Sequence, residues 1–546
     1  MAGQVSPGIV LRERDLTNSV AVPSLANTAA IVGSFEKGPV GVITTISTEQ
    51  EFIDTFGKPN DSNYEDWYVA STFLGYGGTL RVVRVESSSL ANAEDSGTGV
   101  LIRSADDQAA QAGTTTYHFA ARTAGTLGNS LKVSTIDGSS TTYATDTYHG
   151  TALWSSLAPA PASANITHVA VIDEDGAISG VAGTLLETFL YVSRDAAAVD
   201  GEGASAYLPT VINRKSKYVY ADDLPAAGGE ALSLSGGVDD YAVGISGVQD
   251  ALNLFTDVEN ITIDFILSGG SIRTGSQPGA DTITKQLKAI EIADTRKDCI
   301  AFCSPYGTGF VGLSDVTAQK DAIVSHFSTF PSSSYAVLDS GYKYIYDRFN
   351  DKYRYIPCNG DVAGLCVQTS LNAEDWYSPA GLQRGNLRGA IKLAYTPTKA
   401  HRDELYLGRI NPITSFPGQG IVLFGDKTAQ TTPSAFDRIN VRRLFLNIER
   451  RVQAAARGVL FELNDATTRG SFFSTVNSYM GEVQAKRGVT DFLVVCDETN
   501  NTPDVIDRNE FVADIYLKPA RSINYITLTF VATKSGVSFQ EVTGQV

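Results

Sequence analysis

Five histidines, His118, His149, His168, His326 and His401, are the side chains best suited to metal ligation or general base work, and they are scattered. No pair has the His-Glu-x-x-His spacing that holds zinc on one helix face, so no zinc enzyme is expected. Cys299 and Cys303 lie four apart on a predicted strand. That spacing turns both to one face of a buried sheet and reads them as small core hydrophobes. Asp173-Glu-Asp-Gly176 opens like a calcium loop but lacks the further ligands and the closing glutamate, so a hairpin turn is expected. Neither the phosphate-cradling pattern Gly-x-x-x-x-Gly-Lys-Ser/Thr nor a Gly-x-Gly-x-x-Gly is read in the chain, which argues against the commonest nucleotide-driven motors. One cluster is richer. Tyr342, Tyr344, Tyr346, Tyr353 and Tyr355 alternate with Lys343, Asp347, Arg348, Asp351, Lys352 and Arg354 around Asn350-Asp351. Alternation puts the tyrosines on one face of a hairpin. Interleaved aromatic and basic residues can stack on bases, but packing on a neighbouring domain with the charges outward suits an acidic chain better.

The elements that must position these groups follow from apolar spacing and turn signals. A strand over 28–35 closes at Gly38-Pro39, and Ser47 with Gln50 reads as a capping box before the apolar Phe52, Ile53 and Phe56. A helix over 64–74 ends at Gly75 and leads to a strand over 80–85. Residues 88–233 read differently, as short strands at 116–120, 131–136, 168–172 and 189–192 between turns: a mostly β insertion. From Leu234-Ser-Gly-Gly237 onward, helices at 248–255, 282–294 and 316–326 alternate with strands at 261–267, 299–303 and 334–338. That alternation predicts a sheet covered by helices.

After Ser434, apolar residues at Val441, Leu444, Phe445, Ile448, Val452 and Ala455 form one helical stripe. Arg443, Arg450 and Arg457, seven apart, form a basic line on a different face. A second helix carries Phe472, Phe473, Val476, Tyr479, Met480 and Val483 to a stop at Gly488. Strands over 489–496, 511–517 and 524–531 follow. Both ends of the chain, 1–24 and 539–546, are unhelical, with short extended runs. Such ends are frayed tails or strands that pair elsewhere.

The chain has 546 residues, 43% of them hydrophobic and 19% charged, the composition of a folded soluble protein of several domains. No run approaches the ~18 apolar residues of a membrane helix. Five cysteines, an odd number, and an opening Met1-Ala-Gly-Gln-Val-Ser-Pro7 without a signal-like apolar stretch suggest a reducing compartment and no disulfide framework. A net charge of −17 disfavours nucleic acid as the main partner. Residues 91–235 carry 16 acidic and 7 basic groups, whereas residues 431–546 carry 13 of each. An acidic middle joined to a balanced C-terminus suggests a solvent-facing domain attached to one that makes contacts.

Several stretches are specific enough to carry a resemblance. They include Ser6-Pro-Gly-Ile9, Thr28-Ala-Ala30, Phe56-Gly-Lys-Pro59, Leu80-Arg-Val-Val-Arg84, Asp298-Cys299, Asp361-Val-Ala-Gly-Leu-Cys366 and Ser378-Pro-Ala-Gly381. The longest are Phe424-Gly-Asp-Lys-Thr-Ala429, Phe436-Asp-Arg-Ile-Asn-Val-Arg-Arg-Leu-Phe445, Asn500-Asn-Thr-Pro503, Ile506-Asp-Arg-Asn-Glu-Phe-Val-Ala513 and Pro519-Ala-Arg-Ser-Ile-Asn-Tyr-Ile-Thr-Leu528. In these the chain resembles the tail sheath proteins of contractile-tailed bacteriophages, of the large-myovirus type, over about 1–87 and 234–546.

The resemblance implies an α/β and α+β multidomain fold: a core with helices packed on mixed sheets, a mostly β outward-facing insertion, and extended N- and C-terminal arms. The expected divisions are an N-terminal arm at 1–24, core at 25–87 and 234–415, insertion at 88–233, and an inner C-terminal domain at 416–546. It implies a structural subunit, not an enzyme, without cofactor or metal. Such subunits stack as helical rings around a tail tube in a metastable extended state and contract to drive the tube through the host envelope. Implied partners are neighbouring copies joined by strand exchange, the tail tube protein, and baseplate and tail terminator proteins. No nucleic acid or membrane insertion is expected, and the place is the virion tail after assembly in the host cytoplasm. The linking residues would be Pro7, Gly8, Ile9, Val10 and Leu11 in one arm, and Phe511, Ile515, Ile526, Leu528, Phe539 and Val542 in the C-terminal sheet and arm. Arg443, Arg450 and Arg457 would face the tube. A sheath of a non-viral contractile injection machine is the alternative.

Overall fold

The computed structural model describes residues 27–114 and 117–524, which fall into two compact units divided after Leu460. Pro7 to Leu11, Ile526, Leu528, Phe539 and Val542 lie outside the described residues.

Seven strands make the central sheet of the first unit. Their spatial order is Ile410–Asn411, Ala336–Asp339, Ile300–Cys303, Phe265–Leu267, Thr28–Gly33, Thr79–Arg84 and Thr44–Ile46. All neighbours run parallel except the last, which is antiparallel to Thr79–Arg84. The Thr28–Gly33 strand pairs Ala30 with Ile266 on one side and Ile31 with Val82 on the other. Its sequence, Thr-Ala-Ala-Ile-Val-Gly, is buried throughout, as a strand covered on both faces must be.

Alternate residues feed two cores. Ala29 and Ile31 point into one with Phe52, Trp67, Phe73 and Val362, whereas Ala30 and Val32 point into the other with Val248, Ile290 and Ile323. On the first face lie helices Glu49–Phe56, Tyr64–Gly75 and Asn359–Asn372; on the second lie Ile245–Asn253, Pro278–Arg296 and Val316–Phe327. Tyr64–Gly75 buries residues all round because it is sandwiched between the sheet and the Asn359–Asn372 helix. Gly360 permits that packing: a Cβ there would stand 2.6 Å from the Val69 carbonyl oxygen.

Residues 119–233 build a separate antiparallel sheet in the order Ala231–Ser233, Leu131–Asp137, Ile166–Asp173 and Thr184–Ser193, with its own core around Val133, Val169, Val171 and Ile212. Asp173 closes its turn as a backbone clamp, accepting from the Ser130 hydroxyl at 2.5 Å and the Ser179 amide at 2.6 Å. The acidic run is thus consumed by turn geometry. Cys299 and Cys303 are fully buried in the same core cluster, and burial raises both thiols, as small core groups require.

The first helix starts one residue later than its expected cap. Thr48, not Ser47, accepts from the Glu51 amide, and Glu51 reaches back to the Ser47 amide at 2.8 Å, which is a capping box shifted by one. No helix among the described residues is long and apolar enough to cross a membrane.

Candidate assembly surfaces

The second unit is a helix under a two-stranded ribbon. Asp465 caps Ala466–Ala485 by accepting from the Thr468 amide at 2.7 Å, and Phe472, Val476, Met480 and Val483 form its buried stripe. Strands Val489–Val495 and Asp514–Pro519 pair antiparallel, Leu493 opposite Tyr516 and Val494 opposite Ile515. Between them, Asn501 pins the loop with its amide group, giving to the Val512 carbonyl at 2.8 Å and accepting from the Val512 amide at 2.9 Å. Phe511 precedes the second strand instead of lying in it, its ring 5.3 Å from Phe472 and edge-on. It therefore anchors the ribbon to its own helix, a correction to its expected place in a linking strand. Ile515 does lie in the strand, half-buried. Among the described residues each strand has one neighbour, so each presents one edge of backbone donors and acceptors. The outer face carries Leu493 and Tyr516, 56% and 60% exposed, beside the Asp491–Lys518 ion pair.

The arginine helix runs over Ile439–Arg457 and starts past the Ser434 turn, which is a separate short 3₁₀ segment. Its apolar stripe is buried at Val441, Leu444 and Ile448, as the period requires. The basic line is not turned to solvent. Arg443 is buried and donates to Asp375 at 2.9 Å and to Ser370 at 2.6 Å. Arg450 is paired with Asp264, and it donates to the Asp298 carbonyl at 2.9 Å. Asp264 in turn accepts from the Thr28 amide at 2.9 Å, where the core's central strand begins. The helix is thus clamped on two flanks, and the seven-residue spacing lines up along the second buried flank. Of the three arginines only Arg457, at the end, is exposed, whereas Arg443 and Arg450, expected on a non-core face, are held by carboxylates of their own chain. Burial pushes the Asp264 carboxyl up even with Arg450 beside it. Asp375 stays below its ordinary value despite burial, through Arg443 and the Ser370 and Asn447 donors.

The tyrosine hairpin matches expectation at one end only, where Tyr342 is buried in the second core and Tyr355 packs against it. Tyr342–Asp347 and Lys352–Pro357 pair antiparallel, Tyr344 opposite Tyr355 and Tyr346 opposite Tyr353. Three of the charges point inward, whereas Arg348, Asp351 and Lys352 are exposed. Lys343 bonds Asp361 at 2.8 Å, and Asp347 accepts from the Tyr68 hydroxyl at 2.8 Å and from Arg354 at 2.7 Å. Tyr346 and Tyr353 are left 47% and 56% exposed. Fixed partners for three buried charges cost less than burying four tyrosine hydroxyls without any.

A parallel sheet of this kind offers a crevice beyond the carboxyl ends of adjacent strands where the strand order reverses, here between Thr28–Gly33 and Phe265–Leu267. The protein's own carboxylates hold its inner wall, beside an open cavity of about 480 Å³ that Asp61, Tyr241 and Arg273 also line. The Gly270 amide donates to Asp66 at 2.7 Å, the Ser271 amide to Glu65 at 2.7 Å, and the buried Lys285 ammonium lies 3.3 Å from Asp66. Burial pushes the Glu65 carboxyl up. A Gly-x-Gly-x-x-Gly does stand at Gly307 to Gly312, between the Ile300–Cys303 strand and the Val316–Phe327 helix, and motif reading missed it. It is not a phosphate loop. A Cβ at Gly307 would meet the Tyr342 ring at 2.7 Å, and the following helix is capped by Asp315, whose carboxylate accepts the Thr317 amide at 2.9 Å where a phosphate would bind. Among the described residues, no cluster of three His, Cys, Asp or Glu is arranged to hold a metal.

Comparison with known proteins agrees with this architecture. Residues 27–85 match the family model for the N-terminal region of tail sheath protein domain III, 244–429 the phage tail sheath central domain, and 431–533 the phage tail sheath C-terminal domain. The tail sheath protein of Enterobacteria phage T4 is 32% identical, with 99% of each chain covered. The tail sheath protein of Vibrio phage KVP40 is also 32% identical, with 99% of this chain and all of that one covered. The T4 alignment runs over 665 positions, more than the chain's 546 residues, so that relative has segments without counterpart here. Among solved structures, the sheath tail protein of Listeria innocua shares the fold at a TM-score of 0.54 and 12% identity, over 90% of this chain and 95% of that one. The chain belongs to the tail sheath protein family of contractile-tailed bacteriophages.

Proposed function

We propose that copies of this chain stack as helical rings around a tail tube, held extended until a baseplate signal, and then shorten to push the tube through the host envelope. The observation that carries this reading is the family match over nearly the whole chain, joined to a C-terminal ribbon whose two strands each present one edge. Each arm adds a strand to a neighbour's ribbon: Pro7 to Leu11 from one end, Ile526, Leu528, Phe539 and Val542 from the other, with Ile515 in the receiving strand. Main-chain bonds give such a joint affinity without fixing side chains, and they also cover edges prone to aggregation.

Contraction is powered by a difference between two packings of the same subunit. No Walker-type loop is present, and the backbone amides of Gly270 and Ser271 at the crevice of the central sheet are taken by Asp66 and Glu65. A bias of about 1.4 kcal/mol per subunit is tenfold, and a long polymer multiplies it. The chain acts as a structural part and not as an enzyme. The tube contact falls at the exposed end of the arginine helix, around Arg457. Assembly takes place in the host cytoplasm before the tail joins the virion, with baseplate and terminator proteins at the two ends. Electron microscopy of purified full-length protein tests the reading: striated tubes are expected, and dispersed particles at every concentration and salt would contradict it.

A further inference from the structure

Between Asp375 and Asp403 the chain carries Arg384, Arg388, Lys392, Lys399 and Arg402 and no acidic residue, although its net charge is −17. Several exposed cations elsewhere are matched, as Lys352 is by Asp61 at 2.7 Å. Here they turn to rings and carbonyls instead. Arg388 lies 4.8 Å from the Tyr76 ring and donates to the Gly75 carbonyl at 2.7 Å. Arg402 lies 5.7 Å from the Phe416 ring. The Lys392 ammonium stands 4.6 Å over the Tyr344 ring. Rings and carbonyls hold these groups in place but leave their charge uncompensated.

The stretch meets the tyrosine face at Lys392, which pairs directly beside Tyr344. Tyr344 stacks on Tyr353 at 5.4 Å and touches Tyr355 at 4.5 Å, and Tyr346 meets Tyr353 at 5.2 Å. Ile391, 57% exposed, extends the apolar part. Tyrosines already locked against one another lose little freedom on docking, and such rigid aromatic surfaces with a basic rim are typical of protein interfaces.

We propose that this basic, tyrosine-lined face docks the acidic insertion of a second copy of the chain. Charge complementarity selects that occupant: residues 91–235 hold 16 acidic against 7 basic groups. Within them, Asp195, Asp200 and Glu202 are exposed on one loop with Val199, itself 64% exposed, with Arg214 and Lys215 near Asp200. An apolar residue flanked by carboxylates is the counterpart of tyrosines flanked by the Lys392 ammonium. The same chemistry would take a single-stranded nucleic acid, but the chain's overall negative charge opposes it. The proposal rests on the sheath reading only in that copies must touch, and it names a contact that strand exchange does not supply.

The test uses full-length protein and the concentration at which tubes form at low and high salt. Wild-type tubes report on the sheath reading, and the ratio of variant to wild type reports on this surface. Lys392→Glu, and separately Tyr346→Ser with Tyr353→Ser, alter exposed side chains, and unchanged melting curves would show that the fold is kept. Each should raise the required concentration about tenfold at low salt, with the Lys392→Glu effect shrinking at high salt. Adding Asp200→Lys and Glu202→Lys to Lys392→Glu should recover most of the loss. Variants that assemble like wild type overturn the proposal, as does a combined variant no better than Lys392→Glu alone. Loss of tube protein binding or single-stranded DNA binding with self-assembly intact also overturns it, since the occupant is then not a second copy.

Discussion

Asp339 ends a central strand with its carboxyl buried, accepting among the described residues from the Ser304 hydroxyl at 2.7 Å and the Gly341 amide at 2.9 Å. Burial, with Asp361 nearby, pushes its pKa to about 7. Between pH ~4 and 7 the folded chain therefore holds a proton that the unfolded chain has lost, so this group's contribution to stability falls as pH rises through that window. His326 works in the opposite direction. Burial against Phe327 and Phe330 lowers it to about 4, so acidification below pH ~6.5 favours the unfolded chain, which takes the proton. Asp339→Asn should remove the first effect: stability at pH 8 should rise by up to about 4 kcal/mol relative to wild type, with little gain at pH 4. Urea unfolding at the two pH values checks this, and an equal change at both would refute it. Neither group was legible as special in the sequence, because nothing local marks an aspartate as buried.

At the scale of elements, period and turn chemistry were enough to locate most of the core. The fully apolar Thr28–Gly33 strand and the helices at 278–296 and 316–327 lie within a few residues of where spacing puts them. The Asn359–Asn372 helix escaped because Gly360 and Gly364 argue against a helix locally, while tertiary packing requires them; a Cβ at Gly364 would stand 2.2 Å from the Tyr76 ring. The arginine helix shows the limit of a one-stripe reading. Its apolar stripe was legible, but a second buried flank made of ions was not, since Asp264 and Asp375 are supplied from far along the chain. That clamp makes a prediction. Arg450→Met should cost about 3 kcal/mol by stranding Asp264, and adding Asp264→Asn should recover much of the loss. Thermal melts of the four proteins in that cycle measure the coupling, and additive losses would show that the pair does not hold the helix.

For the whole molecule, the charge partition is the feature that sequence and structure share most directly. The acidic stretch coincides with a sheet that has its own core, and 86–243 lies between the matched family models. What the chain alone could not show is which surfaces face other copies, because an edge strand or a tyrosine face looks the same whether water or a neighbour covers it. The central claim is that the chain's ends complete the C-terminal ribbons of adjacent copies. All five native cysteines are buried, which leaves the surface free for introduced ones. Cysteine placed in turn at Ile9, Val10 and Leu11, each combined with cysteine at Ile515 or Tyr516, should on oxidation of assembled tubes join neighbouring chains into a ladder on a denaturing gel. If every link that forms closes within a single chain in tubes that still contract, the ends serve their own subunit and the account is contradicted.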